Sequence, residues 1–103
     1  MLGIGTWECK IDTVFFKGTA QLKVFDNKGE YGFDLTVPGM EVPDIKVISV
    51  EEDDTFLDAV VHTSLTGDKD INVSVEFDGD IVTGFVKVPY LGKIKLKDGH
   101  RIA

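Results

Sequence analysis

The chain has 103 residues, 11 basic against 18 acidic, a formal charge of −7 and a pI near 4.6. That length suits one compact domain, and 43% hydrophobic residues with a mean hydropathy of +0.04 exclude a disordered chain. The acidic balance repels phosphate backbones and the lysines are scattered along the chain, so no nucleic-acid partner is expected. Cys9 is the single cysteine, so no internal disulfide can form, which fits a reducing compartment. Met1 runs almost directly into a strand-like segment without a leader pattern, and no apolar run is long enough for a membrane span. The expectation is a cytoplasmic protein.

Taken in order, runs rich in Val, Ile, Thr, Phe and Tyr alternate with polar turns, and no window carries helical periodicity. Eight strands are predicted: Thr6–Thr13, Thr19–Asp26, Glu30–Val37, Asp44–Val50, Thr55–Thr63, Asp70–Phe77, Ile81–Pro89 and Lys93–Lys97. Asp26-Asn27-Lys28-Gly29 offers Asn and Gly for the positive φ of a tight hairpin, and Asp78-Gly79 is the strongest two-residue hairpin signal. Glu51–Asp54, Thr66–Lys69 and Leu91-Gly92 read as further reversals. Pro38–Pro43 reads as a longer loop, because its prolines cannot donate to a ladder. Short connections throughout imply sequential antiparallel pairing.

A weak internal repeat accompanies this pattern. Phe25-Asp26, Gly32-Phe33 and Val37-Pro38 recur about 50 residues later as Phe77-Asp78, Gly84-Phe85 and Val88-Pro89, which suggests two four-stranded halves. Alternation makes the strands one-sided. Trp7, Cys9 and Ile11 oppose Glu8, Lys10 and Asp12; Tyr31, Phe33, Leu35 and Val37 oppose Gly32, Asp34 and Thr36; Ile71, Val73, Val75 and Phe77 oppose Asn72, Ser74 and Glu76. Such strands need a barrel or a sandwich to cover their apolar face. An all-β, eight-stranded antiparallel up-and-down meander barrel is the favoured reading, since closure removes exposed edges, with a β-sandwich as the alternative.

Gly5-Thr6-Trp7 at the start of the first strand resembles the Gly-x-Trp signature of the lipocalin-like (calycin) barrels, and Gly99-His100-Arg101 just after the last strand matches their late arginine. The resemblance implies that Trp7 and Arg101 form a structural pair, a cation–π lid over the closed end of the barrel. It further implies a shortened, bacterial-style domain that holds a small apolar or aromatic, lipid-like molecule without catalysis. The chain departs from the secreted branch in lacking a disulfide and a C-terminal helix. It departs from the fatty-acid-binding branch in having no room for two helices between Thr13 and Thr19, and no Arg-x-Tyr at Arg101.

The candidate ligand-binding residues are the aromatics and Met near the interior or the rims: Phe15, Phe16, Tyr31, Phe33, Met40, Phe56, Phe85 and Tyr90. Phe15-Phe16 and Tyr90-Leu91 fall where turns are normally polar, as a portal, a plug or a homo-oligomer contact would require. Asp58 and His62, four apart on one strand, share a face about 13 Å apart along it. If Phe56 and Val60 point inward they become lumen acid/base residues; if Leu57, Ala59 and Val61 do, they face solvent. The alternatives to ligand binding are a filled barrel acting as an interaction or oligomerisation subunit, and a small enzyme using Asp58 and His62 as lumen acid and base. Two histidines and one cysteine lack metal-ligand spacing, so no metal is expected, and no Gly-x-Ser-x-Gly, Walker or dinucleotide motif calls for a cofactor.

Overall fold

The computed structural model describes residues 2–12, 17–37, 45–64, 67, 69–89 and 92–103. They form nine strands: β1 (Gly5–Asp12), β2 (Lys17–Asn27), β3 (Glu30–Thr36), β4 (Lys46–Asp53), β5 (Phe56–His62), β6 (Ile71–Asp78), β7 (Ile81–Val88), β8 (Gly92–Lys95) and β9 (Lys97–Arg101). All belong to one antiparallel sheet in the order β3-β2-β1-β9-β7-β6-β5-β4, with β8 beside β7. Eight strands therefore follow one another around a nearly closed barrel, as the alternation requires. Among the described residues, the ends of the path, β3 and β4, are not joined by a ladder.

The last predicted strand needs correcting. Instead of one segment that stops at Lys97, β8 and β9 continue one another along β7, with Phe85 opposite Lys95 and Ile81 opposite His100. Leu96 separates the two, its N still donating to the Gly84 carbonyl at 3.0 Å, and Asp98, at φ 51, is the irregular residue within β9. Gly99, His100 and Arg101 lie inside β9, which closes the barrel by pairing with β1 through Trp7 opposite Arg101 and Glu8 opposite His100. The predicted turn Glu51–Asp54 is likewise displaced: β4 runs on to Asp53 and only Asp54-Thr55 turn, with Asp54 at φ 58. In the β2–β3 hairpin the positive φ falls on Lys28 and Gly29, while Asn27 stays in the ladder opposite Glu30.

Side-chain phase follows the pleat. Trp7, Val24 and Leu57 are almost fully buried, and with Phe33, Ala59, Val61, Val75, Phe77 and Val82 they form the main core. Each fully buried Val or Leu contributes about 1.5–3 kcal/mol relative to exposure. Cys9, Ala20 and Val37 form a smaller cluster against Ile11, Leu35 and Leu96. Burial pushes the Cys9 thiol above its ordinary pKa, with Glu8 adding to the effect. In β5 the buried set is Leu57, Ala59 and Val61, which settles the open phase of that strand. β4 departs from simple alternation. A bulge between Val47 and Ser49 leaves Ile48 exposed and brings both Val47 and Val50 to the inner face.

The repeat does not survive as a structural equivalence. Phe25 lies outside, its ring covering Gly32 across the β2–β3 pair, whereas Phe77 is buried against Trp7. Phe33 is buried, whereas Phe85 stands on the outer face of β7. Two matching dipeptides thus sit in opposite phase, which is what a one-residue register difference produces.

Candidate functional site

One end of the barrel carries the two-residue turns Lys28-Gly29, Asp54-Thr55 and Gly79-Asp80; we call it the lower end. The segment before β1 folds across it. Trp7 Nε1 donates to the Gly3 carbonyl at 2.8 Å, so the buried indole N–H is satisfied. Gly3, at φ 67, lies so close under the Phe77 ring that a Cβ would collide with it. Trp7 and Phe77 pack with centroids 5.0 Å apart, tilted by 45°. Arg101 also covers the indole, its Cζ 4.6 Å from the ring centroid. The guanidinium donates to the Ile4 carbonyl and meets Asp80 at 3.1 Å, while Arg101 N donates to the Asp80 carbonyl at 2.8 Å. Trp7 and Arg101 are cross-strand partners, so pleat geometry alone brings them together. With Trp7 1% exposed between these partners, this end is a structural closure.

The open side is the seam between β3 and β4. A cleft of about 380 Å³ lies there, walled on one side by Phe25, Tyr31 and Phe33 and on the other by Ile45, Lys46 and Val47. Tyr31 and Phe33 stack with centroids 6.0 Å apart and planes within 9°. The Tyr31 hydroxyl donates to Glu52 of β4 and accepts from Leu2 N at 2.6 Å, one side-chain bridge where the ladder is missing. Partial burial and the Glu52 carboxylate raise the Tyr31 pKa above its ordinary value, and the Leu2 hydrogen bond works against that rise. Asn27, Glu30 and Asp34 make the rim polar. A second, shallower opening of about 470 Å³ lies at the start of β6 and the end of β7, among Lys69, Asp70, Asn72 and Lys87.

Of the candidate ligand-binding residues, the fold brings Tyr31 and Phe33 together at the seam. Phe15, Phe16, Met40 and Tyr90 lie outside the described residues. Two assignments are corrected. Phe56 is 48% exposed on the outer face, because Leu57 takes the inward position next to it. Phe85 also points outward, where Lys93 Nζ lies 4.1 Å and Lys87 Nζ 5.8 Å from its ring centroid. Asp58 and His62 are not lumen residues. Asp58 is exposed opposite Glu51, and His62 pairs with Asp70 at 3.3 Å on the outside, so no inward acid/base pair exists in β5. Among the described residues no group of three or more His, Cys, Asp or Glu could hold a metal ion, and no helix is long and apolar enough to cross a membrane.

Sequence reasoning missed Phe25, Ile45, Val47 and Glu52. The bulge at Ile48 is what delivers Val47 to the cleft and shifts Glu52 onto the inward phase opposite Leu57, and nothing in the local alternation announced it. No family model, curated protein or solved structure matches the chain, so the class of the protein is what its fold defines: a nearly closed antiparallel β-barrel.

Proposed function

We propose that the protein is a non-enzymatic binding module for a small apolar or aromatic molecule, taken up at the β3–β4 seam. The observation that carries the reading is the coincidence of the unpaired seam with the stacked Tyr31 and Phe33 and a cleft of about 380 Å³. Pockets that hold small ligands commonly measure about 300–1,000 Å³ and combine apolar walls with a few polar groups. Trp7, Leu57 and Val24 fill the barrel interior at the lower end, which argues for the seam over that part of the lumen. The lipocalin-like resemblance, carried by Gly5-Thr6-Trp7 and Gly99-His100-Arg101, is part of the same proposal, as is a cytoplasmic location. The lone buried thiol of Cys9 supports the latter, since a reducing compartment suits an unpaired cysteine.

Native mass spectrometry with denaturing extraction tests the reading, together with NMR titration of the labelled protein with indole. The expected result is a co-purifying apolar compound near one per chain, or indole-induced shifts at Tyr31, Phe33 and Val47, either being lost in Val47→Trp. No bound compound together with no shift at those three residues in millimolar indole contradicts it.

A further inference from the structure

The lower end carries a surface that the binding reading does not use. Of the five large hydrophobic side chains that stand exposed among the described residues, four lie there: Ile4, Phe56, Ile81 and Ile102. They come from distant parts of the chain and are gathered by register. Ile102 N donates to the Thr6 carbonyl at 2.8 Å, which sets Ile102 beside β1 and diagonal to Ile4. Ile81 lies opposite His100, hence diagonal to Ile102 on its other flank. Diagonal neighbours across strands stand about 7–8 Å apart, within reach of one contacting group. Phe56 continues the patch two strands further round, with Glu76 of β6 between it and Thr83 of β7.

Carboxylates frame this patch. Phe56 lies directly between Asp53 and Glu76, Asp78 lies opposite Ile81, and Asp54 and Asp80 occupy the adjoining turns. Two cations lie nearby: Arg101 is held over Trp7 and bridged to Asp80, and Lys23, opposite Thr6 and diagonal to Ile4, has its Nζ 5.8 Å from the Phe25 ring centroid. His100 adds a ring whose Nδ1 meets the Asp98 carbonyl at 2.7 Å. Single exposed apolar residues are normal on a protein surface, but an apolar cluster with a polar rim marks an interaction site, and here the rim beside Ile81 and Phe56 is made of carboxylates.

We infer that the lower end, centred on Ile81 and Ile102, is a docking surface for a basic polypeptide that presents an apolar face ringed by Lys or Arg. The charge selects the occupant. Covering the apolar cluster brings the partner against Asp53, Glu76, Asp78 and Asp80, and carboxylates desolvated without a cationic partner would oppose binding. A second copy meeting this end symmetrically would set acid on acid, with a charge of −7 on each chain. Nucleic acid and anionic lipid are repelled by the same rim.

The test is a methyl-detected NMR titration with a synthetic amphipathic Lys–Leu peptide, its Glu–Leu counterpart, and the variants Ile81→Ser/Ile102→Ser and Asp78→Asn/Asp80→Asn. Circular dichroism of each variant checks that it folds before the titration is read. The Lys–Leu peptide is expected to shift the Ile4, Ile81 and Ile102 methyls while the Glu–Leu peptide does not. The paired serine substitution should weaken binding about tenfold or more, as loss of interface anchors does. Asp78→Asn/Asp80→Asn should weaken it and flatten its salt dependence. The inference is overturned if the serine variant binds the Lys–Leu peptide unchanged, if both peptides bind alike, or if sedimentation shows the chain dimerising through these residues.

Discussion

An up-and-down barrel must close on itself, and the two boundaries between the meanders β1–β3 and β4–β9 solve that problem differently. Where β9 meets β1, backbone pairing runs through Trp7–Arg101 and Glu8–His100, resumes at Lys10–Lys97 beyond a register shift, and is extended by Ile102 N on the Thr6 carbonyl. Side chains reinforce it, since Arg101 lies over Trp7 and reaches back to Ile4. Where β3 meets β4 the described residues form no ladder, and a hydrogen bond from Tyr31 to Glu52 spans the gap. The cause is local. The bulge at Ile48 and the acidic run Glu51–Asp54 spoil β4 as a pairing edge, the devices by which edge strands avoid partners. One boundary supplies stability and the other supplies an opening.

Trp7→Ala attacks the closed boundary at its centre and should cost about 3–5 kcal/mol of unfolding free energy, since it empties a fully buried aromatic site. Urea denaturation followed by circular dichroism measures it; a loss below that of an exposed-residue control would remove Trp7 from the core. Gly84→Ala comes next. Gly84 sits at φ 140 on the inner face where β8 gives way to β9, and a Cβ there would collide with the Ser74 carbonyl, which is backbone and cannot swing away. A cost of about 2 kcal/mol is expected from strain and overpacking, read as a lowered denaturation midpoint.

Tyr31→Phe probes the open boundary and should be milder, about 1 kcal/mol near neutral pH for one partly exposed hydrogen bond. Its pH signature is more telling. Because the folded phenol has a raised pKa, the native state holds its proton where the unfolded state releases it. Wild-type stability is therefore intact below the ordinary tyrosine range of about pH 10 and falls as pH rises through the folded value, and Tyr31→Phe lacks that part of the alkaline loss. Parallel alkaline slopes in the two proteins would show that Tyr31 does not bridge the seam. Lys28→Gly, in the turn beside the seam, relieves a non-glycine residue at φ 55 and should raise stability by at most about 1 kcal/mol in thermal unfolding.

Much of the barrel was readable because the pleat forces it. Alternation placed Trp7 and Cys9, Tyr31 and Phe33, and Val75 and Phe77 on the inner face, where they lie. Phe56 and Phe85 read as ligand-binding by their aromatic identity, but phase puts both on the outer face. Leu57 beside one and Val86 beside the other carry the inward positions. The seam was not legible, because a bulge is one extra residue with no compositional mark, and Ile48 reads as any other strand residue. The patch of Ile4, Phe56, Ile81 and Ile102 was hidden for another reason: it exists only once β1, β5, β7 and β9 are in register.

Amide hydrogen exchange by NMR tests the asymmetry of the two boundaries most directly. The amides of β1 and β9 that pair with one another, including those of Glu8, His100 and Ile102, should exchange about 100-fold or more slowly than the β3 and β4 amides that do not bond to β2 or β5. Protection of those seam amides to the same degree as β1 and β9 would mean that a ladder closes β3 onto β4, and the opening on which the binding reading rests would not exist.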